Sequence, residues 1–380
     1  MGQKKKVKRK LVVPDCKNFS GYKPCFPGSR CYEGCENPNP TGTTILIVNL
    51  DAMGNVLVTL SIIPGLKRKY PTSHITWITL KNAAPLLENI QDIDRIMVWE
   101  PESWLILQQM EFDIVLNVDK STRSGAFTRS IRSKEKLGFG IDRLGKIIPL
   151  NKEAEENYIL GLDDDLKFRV NKKTVPQLLC EQFRLPFVRD EYRAVLSPEE
   201  RDFCSRYATE YDVDRKSYVI GFNTGCSELY PNKKMTIDQY VVLIERLSQV
   251  SGLRLVLLGG PEDTLRNAEI QRRVGDKVVS TPTTEGVRRG LCYINLCDCV
   301  ISGDSFGMHA ANALGKNIIV WFGVSCAPEI DLFDRGVKFV PEALPCSPCW
   351  KKECPYQLEC IDLIDLDGIV RAATDFAKNR

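Results

Sequence analysis

The stretch ISGDSFGMHAANALGKNIIVWFG, residues 301–323, predicts a strand, a helix and a second strand in immediate succession. The stretch begins at the end of the apolar run CVISG and closes with NIIVWFG, both short and apolar as buried strands are, whereas FGMHAANALG between them favours a helix. Strands joined by a crossover helix run parallel, because a tight hairpin would reverse the chain. This stretch therefore predicts a parallel α/β sheet.

The same alternation extends towards both ends of the chain. SYVIGFN and LRLVLLGG predict strands of the same sheet, and a separate series begins at Thr44 with the continuous apolar run TILIVNL. Alternating strands and helices indicate an α/β fold with two doubly wound, Rossmann-type domains facing a cleft. We place an irregular appendage at residues 1–43, a first domain with its linker at 44–190 and a second domain at 191–380.

Composition and charge exclude several classes of protein. The 380 residues carry 52 basic and 49 acidic side chains, a net charge of +3, which argues against a general nucleic-acid binder. No apolar run is long enough for a membrane span, and the basic start MGQKKKVKRK lacks the apolar region of a secretory signal. We expect a cytoplasmic protein. Its basic start is interpreted as a solvated tail; the alternative is weak attraction to an anionic membrane surface or acceptor, of ~1 kcal/mol per cation.

The helix start within 301–323 has the features of an anion site. Asp304 and Ser305 are residue types that cap helices, and Gly307 leaves the first turn open to another group. Free N–H groups at a helix N-terminus favour a bound diphosphate, and His309 falls on the same turn. The competing interpretation is an ordinary capped helix in which His309 packs against its neighbours.

Taken whole, this stretch resembles the donor-binding segment of the bacterial heptosyltransferases, glycosyltransferase family 9, which have the GT-B fold. Asp304, Ser305 and His309 occupy the pattern D-[ST]-x-x-x-H-x-A-x-A-x-G, and Phe322–Gly323 follows the next strand. The resemblance implies an acceptor-binding first domain and a second domain that binds a nucleotide sugar such as ADP-heptose. The implied reaction is inverting transfer to a lipopolysaccharide core or another surface glycan or glycolipid, and a protein acceptor stays open.

The resemblance also implies donor-binding residues outside the helix. In FNTGCSELYPNKKM, Lys233, with Lys234 as the alternative, would neutralise the departing diphosphate, so that no catalytic metal is expected. Met235 stands where the family usually has tryptophan. The implied donor-binding set is Gly54, Thr224, Gly225, Lys233, Gly260, Glu262, Asp304, Ser305, Gly307, Met308 and His309, with Glu262 a candidate for the ribose.

The first domain departs from the family at the residue taken as the general base. In NLDAMGN the position that follows Gly54 is Asn55, where the family has Asp, and an amide cannot take up a proton at neutral pH. A general base contributes about 10²- to 10⁴-fold to a rate. Asp51 is our candidate for that role, another carboxylate is an alternative, and helix capping is the structural interpretation of Asp51.

Because Asn55 replaces the family's base, two functions other than transfer are alternatives. A homologue that binds a nucleotide sugar with weak or no turnover is one alternative, and other chemistry on a nucleotide sugar, such as epimerisation, is another. The residues that we expect to take part in catalysis are Asp51, Asn55 and Lys233.

Fifteen cysteines and two histidines mean that any structural metal must be held by thiolates. The C-terminal cluster forms a Cys finger over residues 346–360 with a Cys-x2-Cys pair, which favours structural zinc, iron or an iron–sulfur cluster. The N-terminal cluster has wider spacings and is a weaker candidate; disulfides, or ligands mixed from both clusters, are alternatives. The two sets are Cys346, Cys349, Cys354 and Cys360, and Cys16, Cys25, Cys31 and Cys35.

Overall fold

The structure is a computed structural model that describes residues 11–35, 37–50, 52–213, 217–226, 230–342, 344–357 and 359–379. The basic segment 1–10 and the candidate base Asp51 lie outside the described residues. Residues 11–42 form an irregular segment with one 3-10 turn at Cys31–Glu33.

The first domain is built on a six-stranded sheet within the described residues. Its order is β3-β2-β1-β4-β5-β6, and every neighbouring pair is parallel except β5 and β6. The strands are β1 (Thr43–Val48), β2 (Ser73–Thr79), β3 (Arg95–Val98), β4 (Glu111–Asn117), β5 (Arg132–Ile141) and β6 (Ile147–Pro149). The helices are α1 (Met53–Thr59), α2 (Ile62–Lys69), α3 (Pro101–Gln109) and α4 (Thr122–Ser130).

Three helices accompany the connection between the domains: α5 (Glu155–Leu160), α6 (Val175–Gln182) and α7 (Pro198–Glu210). Ser197 and Glu200 form a capping box at the start of α7, which defines where the helix begins. The extended stretch before it buries Phe183, Leu185 and Tyr192. These side chains belong to one hydrophobic cluster that includes residues of both sheets, so the two domains share a continuous core.

The second domain repeats the same architecture. Its described strands form a parallel sheet with the order β12-β11-β10-β7-β8-β9. The strands are β7 (Tyr218–Asn223), β8 (Leu253–Leu258), β9 (Val279–Ser280), β10 (Cys299–Gly303), β11 (Asn317–Trp321) and β12 (Gly336–Phe339). The helices are α8 (Ile237–Leu247), α9 (Thr264–Val274), α10 (Val287–Asn295), α11 (Phe306–Ala313), α12 (Glu359–Asp362) and α13 (Leu366–Lys378).

The predicted fold class is confirmed, because both sheets are doubly wound and have the same strand order. In each sheet the order reverses between the first and the fourth strand, β1 and β4 in one and β7 and β10 in the other. Ligands of open α/β sheets bind at the carboxyl ends of the strands beside this reversal. The domain limits at residues 43 and 190 stay predictions.

Several elements differ from the sequence-based expectation. The apolar spacing in VLVTLSIIPGLKRKYP predicts one helix that ends at Pro71, but the chain forms α1 and α2 here. Pro64 lies in the first turn of α2, where a missing N–H is tolerated. The stretch AAPLLENI, which by its sequence predicts a helix, forms only a 3-10 turn at Ala84–Leu87. Strands β5, β6 and β12 were not predicted, because strands at or near a sheet edge are less buried and lack a continuous apolar run.

Candidate functional site

The first turns of α1 and α11, one from each domain, meet across the cleft. A Cβ atom placed on Gly54 would lie 2.8 Å from Cδ2 and 3.5 Å from Nε2 of His309. Only glycine permits so close an approach without displacing the imidazole. The structure thus brings together the predicted segments that follow β1 and β10.

Asn223, at the carboxyl end of β7, organises the start of α11. Its Nδ2 lies 2.9 Å from the Oγ atoms of both Ser302 and Ser305, and 3.1 Å from the backbone oxygen of Gly225. A Cβ on Gly307 would lie 2.4 Å from Asn223 Oδ1, so Gly307 allows helix and strand to pack closely. Ser305 occupies the N-cap position, but its hydroxyl bonds to Asn223 rather than to its own helix. Asn223 was not among the predicted site residues.

Lys233 and Asp304 form a buried ion pair beside this helix. Lys233 Nζ donates to Asp304 Oδ2 at 2.8 Å, and the two side chains are 13% and 10% exposed. Burial acts to raise the pKa of the Asp304 carboxyl, but Lys233 and the neighbouring His309 hold it below its ordinary value. Lys234 instead lies 3.8 Å from Asp263 Oδ1, so Lys233 is the lysine that faces α11.

The Cys finger supplies an aromatic ring to the same lysine. Trp350 lies with its ring centroid 4.4 Å from Lys233 Nζ, which is a cation–π distance, and Tyr230 lies 5.5 Å from it. The Trp350 indole donates to Cys326 Sγ at 3.4 Å, and its backbone N–H donates to Val324 at 2.8 Å. The finger is therefore joined to the side of the cleft that carries Lys233, a contact that was not predicted from the sequence.

His309 is buried and contacts two polar groups. Its Nδ1 lies 3.2 Å from the Tyr192 hydroxyl, and its Nε2 lies 3.9 Å from Asp304 Oδ1. Burial lowers the pKa of the imidazole, an effect that Asp304 opposes and Lys233 reinforces. His309 is therefore neutral at pH 7. Tyr192 lies in the interdomain connection, and no local motif marks it as a partner of α11.

The remaining predicted donor residues have mainly internal partners. Thr224 is buried, and its hydroxyl bonds to Asn267; Gly225 packs directly on Asp263. Asp263 Oδ2 also accepts from the Gly260 N–H at 2.9 Å. Glu262 is exposed, and Met308 is fully buried in the core, so the Met308 side chain does not face the cleft.

In the first domain, Asn55 is exposed in the first turn of α1, directly after Gly54. The loop before α1 is held by Asp119, a buried residue that accepts from Asn49 Nδ2 at 2.8 Å and from the Leu50 N–H. Asp119 was not predicted, and its carboxylate is already occupied by these donors. A carboxylate base, Asp51 or another, therefore stays a prediction.

Glu329 is a further carboxylate at the cleft, located after β11. Lys167 of the first domain lies 3.7 Å from it, and the Glu329 side chain is 14% exposed. Burial raises the pKa of Glu329, although Lys167 and Lys120 act in the opposite direction. Lys167 Nζ also lies 5.0 Å from the Trp350 ring, so these contacts join the first domain to the Cys finger.

The four cysteines of the finger line one cavity of about 230 Å³. Burial and the three neighbouring thiols raise the pKa of the Cys360 thiol to about 11. However, no three Cys, His, Asp or Glu side chains in the described part of the chain are grouped so that they could hold a metal ion. The N-terminal set, Cys16, Cys25, Cys31 and Cys35, forms no such group either. Structural metals therefore stay predictions.

None of the helices in the described ranges is long and apolar enough to cross a membrane.

Comparison with known proteins gives consistent matches. The model of glycosyltransferase family 9 (heptosyltransferase) matches residues 104–359. Lipopolysaccharide core heptosyltransferase OpsX of Haemophilus influenzae is 23% identical over 289 residues, 73% of this chain and 78% of that protein.

Solved structures have the same fold. The glycosyl transferase family 9 protein from Veillonella parvula superposes with a TM-score of 0.69 at 16% identity, over 90% of this chain and 98% of that one. The ADP-heptose lipopolysaccharide heptosyltransferase II of E. coli gives 0.66 at 16% identity, over 89% and 99%.

Proposed function

This chain belongs to glycosyltransferase family 9, the heptosyltransferase family, and is therefore a glycosyltransferase, and on that premise we propose that it transfers a heptose or a related sugar from a nucleotide-sugar donor such as ADP-heptose. The proposed acceptor is a lipopolysaccharide core or another surface glycan or glycolipid, as the name of the Haemophilus relative suggests. We place the reaction in the cytoplasm, with the basic segment 1–10 in peripheral contact with the inner membrane.

One observation carries the donor assignment: the buried Lys233–Asp304 pair lies at the first turn of α11. The N-terminal N–H groups of a helix and an adjacent ammonium form a favourable environment for a diphosphate. Gly54 of the first domain contacts His309 of α11 from the opposite side of the cleft. A nucleotide sugar bound there would present its anomeric carbon to the first domain.

The proposed chemical step is a direct displacement with inversion. The acceptor oxygen forms a bond to the anomeric carbon while the bond from that carbon to the phosphate oxygen breaks. The electron pair leaves with the diphosphate, whose charge Lys233 and the helix N-terminus stabilise. The acceptor proton passes to a carboxylate, for which Asp51 is our candidate, while Asn55 orients the hydroxyl through hydrogen bonds.

Thermal unfolding with ADP, GDP, UDP and CMP tests the donor site. A ligand that binds only the folded protein stabilises it by ~2.7 kcal/mol at 100 times its dissociation constant. We expect a selective response to one nucleotide that is lost in Lys233→Ala and in His309→Ala. Lys277→Ala, which removes a lysine paired with Glu245 on the surface of the second domain, is the matched control. No response to any nucleotide would contradict the proposal.

We further propose that transfer needs no catalytic metal, because Lys233 and backbone N–H groups take over the charge neutralisation. Activity should not depend on added Mg²⁺ once any structural metal is loaded. A strict requirement for Mg²⁺ in metal-loaded protein would show that Lys233 does not have this role.

The second candidate is a nucleotide-sugar-binding homologue with weak or no turnover. The observation that favours it is Asn55, an exposed amide at the position of the family's base. Product analysis separates the candidates: nucleotide release coupled to glycosylation of an acceptor supports transfer, whereas tight donor binding without product supports the binding role. Conversion of the donor alone would indicate epimerisation or hydrolysis.

For the Cys finger we propose a structural metal, supported by the common cavity that Cys346, Cys349, Cys354 and Cys360 line. Metal binding would require these four thiols to move closer together, because no set of side chains in the described residues is already arranged to hold an ion. Elemental analysis of anaerobically purified protein should find about one zinc or iron per chain, lost in a Cys346→Ser/Cys349→Ser variant. Metal-free, fully folded protein would refute this proposal.

A further inference from the structure

We propose that Tyr192, in the connection between the domains, is a positioning residue that fixes the imidazole of His309 as the Nε2–H tautomer. His309 would then present a permanent hydrogen-bond donor to the cleft. The tautomer follows from the hydrogen bonds alone, whereas its use towards a diphosphate rests on the proposed function.

The connection holds Tyr192 rigidly against the second domain. Arg189 forms a bidentate pair with Asp331, with both N–O distances at 2.9 Å. On the other side of Tyr192, the Ala194 N–H donates to the backbone oxygen of Ala313 at 3.0 Å, at the end of α11. These two attachments fix the tyrosine relative to the helix that carries His309.

Asn312, on the same helix, sets the direction of the hydrogen bonds. Its Nδ2 lies 2.7 Å from the backbone oxygen of Asp331, which can only accept, so the amide nitrogen must be on this side. The same Nδ2 lies 2.7 Å from the Tyr192 hydroxyl. Reversing the amide would place two oxygens against each other. Asn312 therefore donates to the Tyr192 oxygen.

The Tyr192 hydroxyl has one proton left to give. Burial raises the pKa of this phenol, so the proton is retained at neutral pH. With Asn312 donating to its oxygen, the O–H points at His309 Nδ1, 3.2 Å away. Nδ1 must accept, and in a neutral imidazole the single proton then lies on Nε2.

The environment of the imidazole agrees with this assignment. The titratable groups that face it are Tyr192, Asp304 and Lys233, and burial together with Lys233 outweighs Asp304 in lowering its pKa. Nε2 lies 3.9 Å from Asp304 Oδ1, too far for a hydrogen bond, on the side where α1 approaches. The Nε2–H is thus available to an anionic ligand oxygen without any protonation of the ring.

The experiment uses the presence of only two histidines, His74 and His309, in the chain. Nitrogen NMR of protein labelled with ¹⁵N-histidine reports the protonation of each ring nitrogen, and His74→Gln assigns the signals. We expect an unprotonated Nδ1 and a protonated Nε2 for His309. In Tyr192→Phe the restraint is lost, and the His309 signals should shift towards a mixture of tautomers.

Tyr293→Phe is the matched control, since it removes the hydroxyl of another buried tyrosine, bonded to Glu285, without touching His309. It should leave the His309 tautomer unchanged. A protonated Nδ1 in the native protein, or an unchanged tautomer in folded Tyr192→Phe, would overturn the proposal.

Nucleotide binding then separates this inference from the proposed function. Loss of the tautomer restraint should weaken binding of the nucleoside diphosphate by roughly 3- to 10-fold, the range of one neutral hydrogen bond. If native protein shows the Nε2–H tautomer but binds no nucleotide, the proposed function fails and the tautomer assignment stands. If native protein binds nucleotide but has a protonated Nδ1, the tautomer assignment alone fails.

Discussion

Gly54 of the first domain and His309 of the second are in direct contact across the cleft, and a Cβ atom on Gly54 would lie 2.8 Å from the imidazole Cδ2. Helix α1 and helix α11 can therefore approach this closely only because residue 54 has no side chain. The contact lies beside Asn55 and the Lys233–Asp304 pair, so it controls the distance between the two walls of the proposed donor site.

Gly54→Ala should separate these walls without harming either domain. Alanine favours helix more than glycine does, so α1 itself should not weaken. Displacement of reacting groups by a few tenths of an ångström to 1 Å lowers rates by on the order of 10- to 100-fold. We expect such a loss in kcat/KM, together with a lower unfolding temperature, because the added methyl group forces apart two helices that share one core.

Gly65→Ala is the control for this prediction. Gly65 lies within α2, and its nearest neighbour to an added Cβ is Leu185 at 3.5 Å, an ordinary contact. It should raise the free energy of unfolding by about 0.4–1 kcal/mol and leave the activity unchanged. Equal activity in both variants would mean that the Gly54–His309 approach has no part in catalysis.

Trp350→Leu should weaken donor binding, because it removes the ring that lies 4.4 Å from Lys233 Nζ. A partly buried cation–π contact contributes about 0.5–2 kcal/mol, which corresponds to roughly 2- to 30-fold in the dissociation constant. Trp350→Phe should lose less. Calorimetric titration with the responsive nucleotide measures both.

Tyr356→Leu serves as the comparison within the Cys finger, since Tyr356 is exposed and is not one of the two rings, Tyr230 and Trp350, that lie over Lys233 Nζ. If it weakens binding as much as Trp350→Leu does, the effect comes from general disruption of the finger.

Asn55→Asp and Asp51→Ala together identify the base. If Asp51 is the base, Asp51→Ala should lower kcat by about 10²- to 10⁴-fold and Asn55→Asp should have little effect. We expect this pattern. A large gain in Asn55→Asp, with little loss in Asp51→Ala, would instead mean that the native chain lacks its base and that position 55 is the productive one.

The buried histidine also makes stability depend on pH. Burial lowers the pKa of His309 below its ordinary value of 6.5, so the unfolded chain binds the proton first as the pH falls. The free energy of unfolding is therefore highest above pH 6.5 and decreases below it, by at most about 1.4 kcal/mol per pH unit for one group. His309→Asn should reduce this slope in denaturant titrations between about pH 7.5 and about pH 5; burial also lowers the pKa of His74, so a part of the slope remains.

Glu329 should change the pH dependence of stability in the direction opposite to His309. Burial raises its pKa, so the folded protein binds the proton first, and this contribution to stability is lost as the pH rises through the folded pKa. At neutral pH, Glu329→Gln should therefore have a higher free energy of unfolding than the native protein. The Glu329 carboxyl makes stability fall as the pH rises, whereas the His309 imidazole makes it fall as the pH decreases. An unchanged pH profile in His309→Asn would contradict the assignment of a lowered histidine pKa.

The amino-acid sequence by itself determined the fold class and the position of the strand-to-helix segment that we propose binds the donor. Buried parallel strands are continuous apolar runs, as in TILIVNL, and a strand followed by Asp304, Ser305 and a helix is a local pattern that requires no knowledge of distant residues. Both are properties of neighbouring residues in the chain. Strands β5, β6 and β12 were missed because partial exposure removes the apolar run from which buried strands are recognised.

Only the tertiary structure decided which side chains contact one another at the proposed site. Tyr192 and His309 are separated by 117 positions, and Trp350 reaches Lys233 from a cysteine-rich loop with no regular periodicity. Such contacts depend on how the two sheets and the connection pack, since hydrogen bonds and cation–π contacts form between side chains that meet in space. Local sequence patterns do not indicate contacts between residues that are distant in the chain, so the partners of His309 and Lys233 could be identified only from the folded structure.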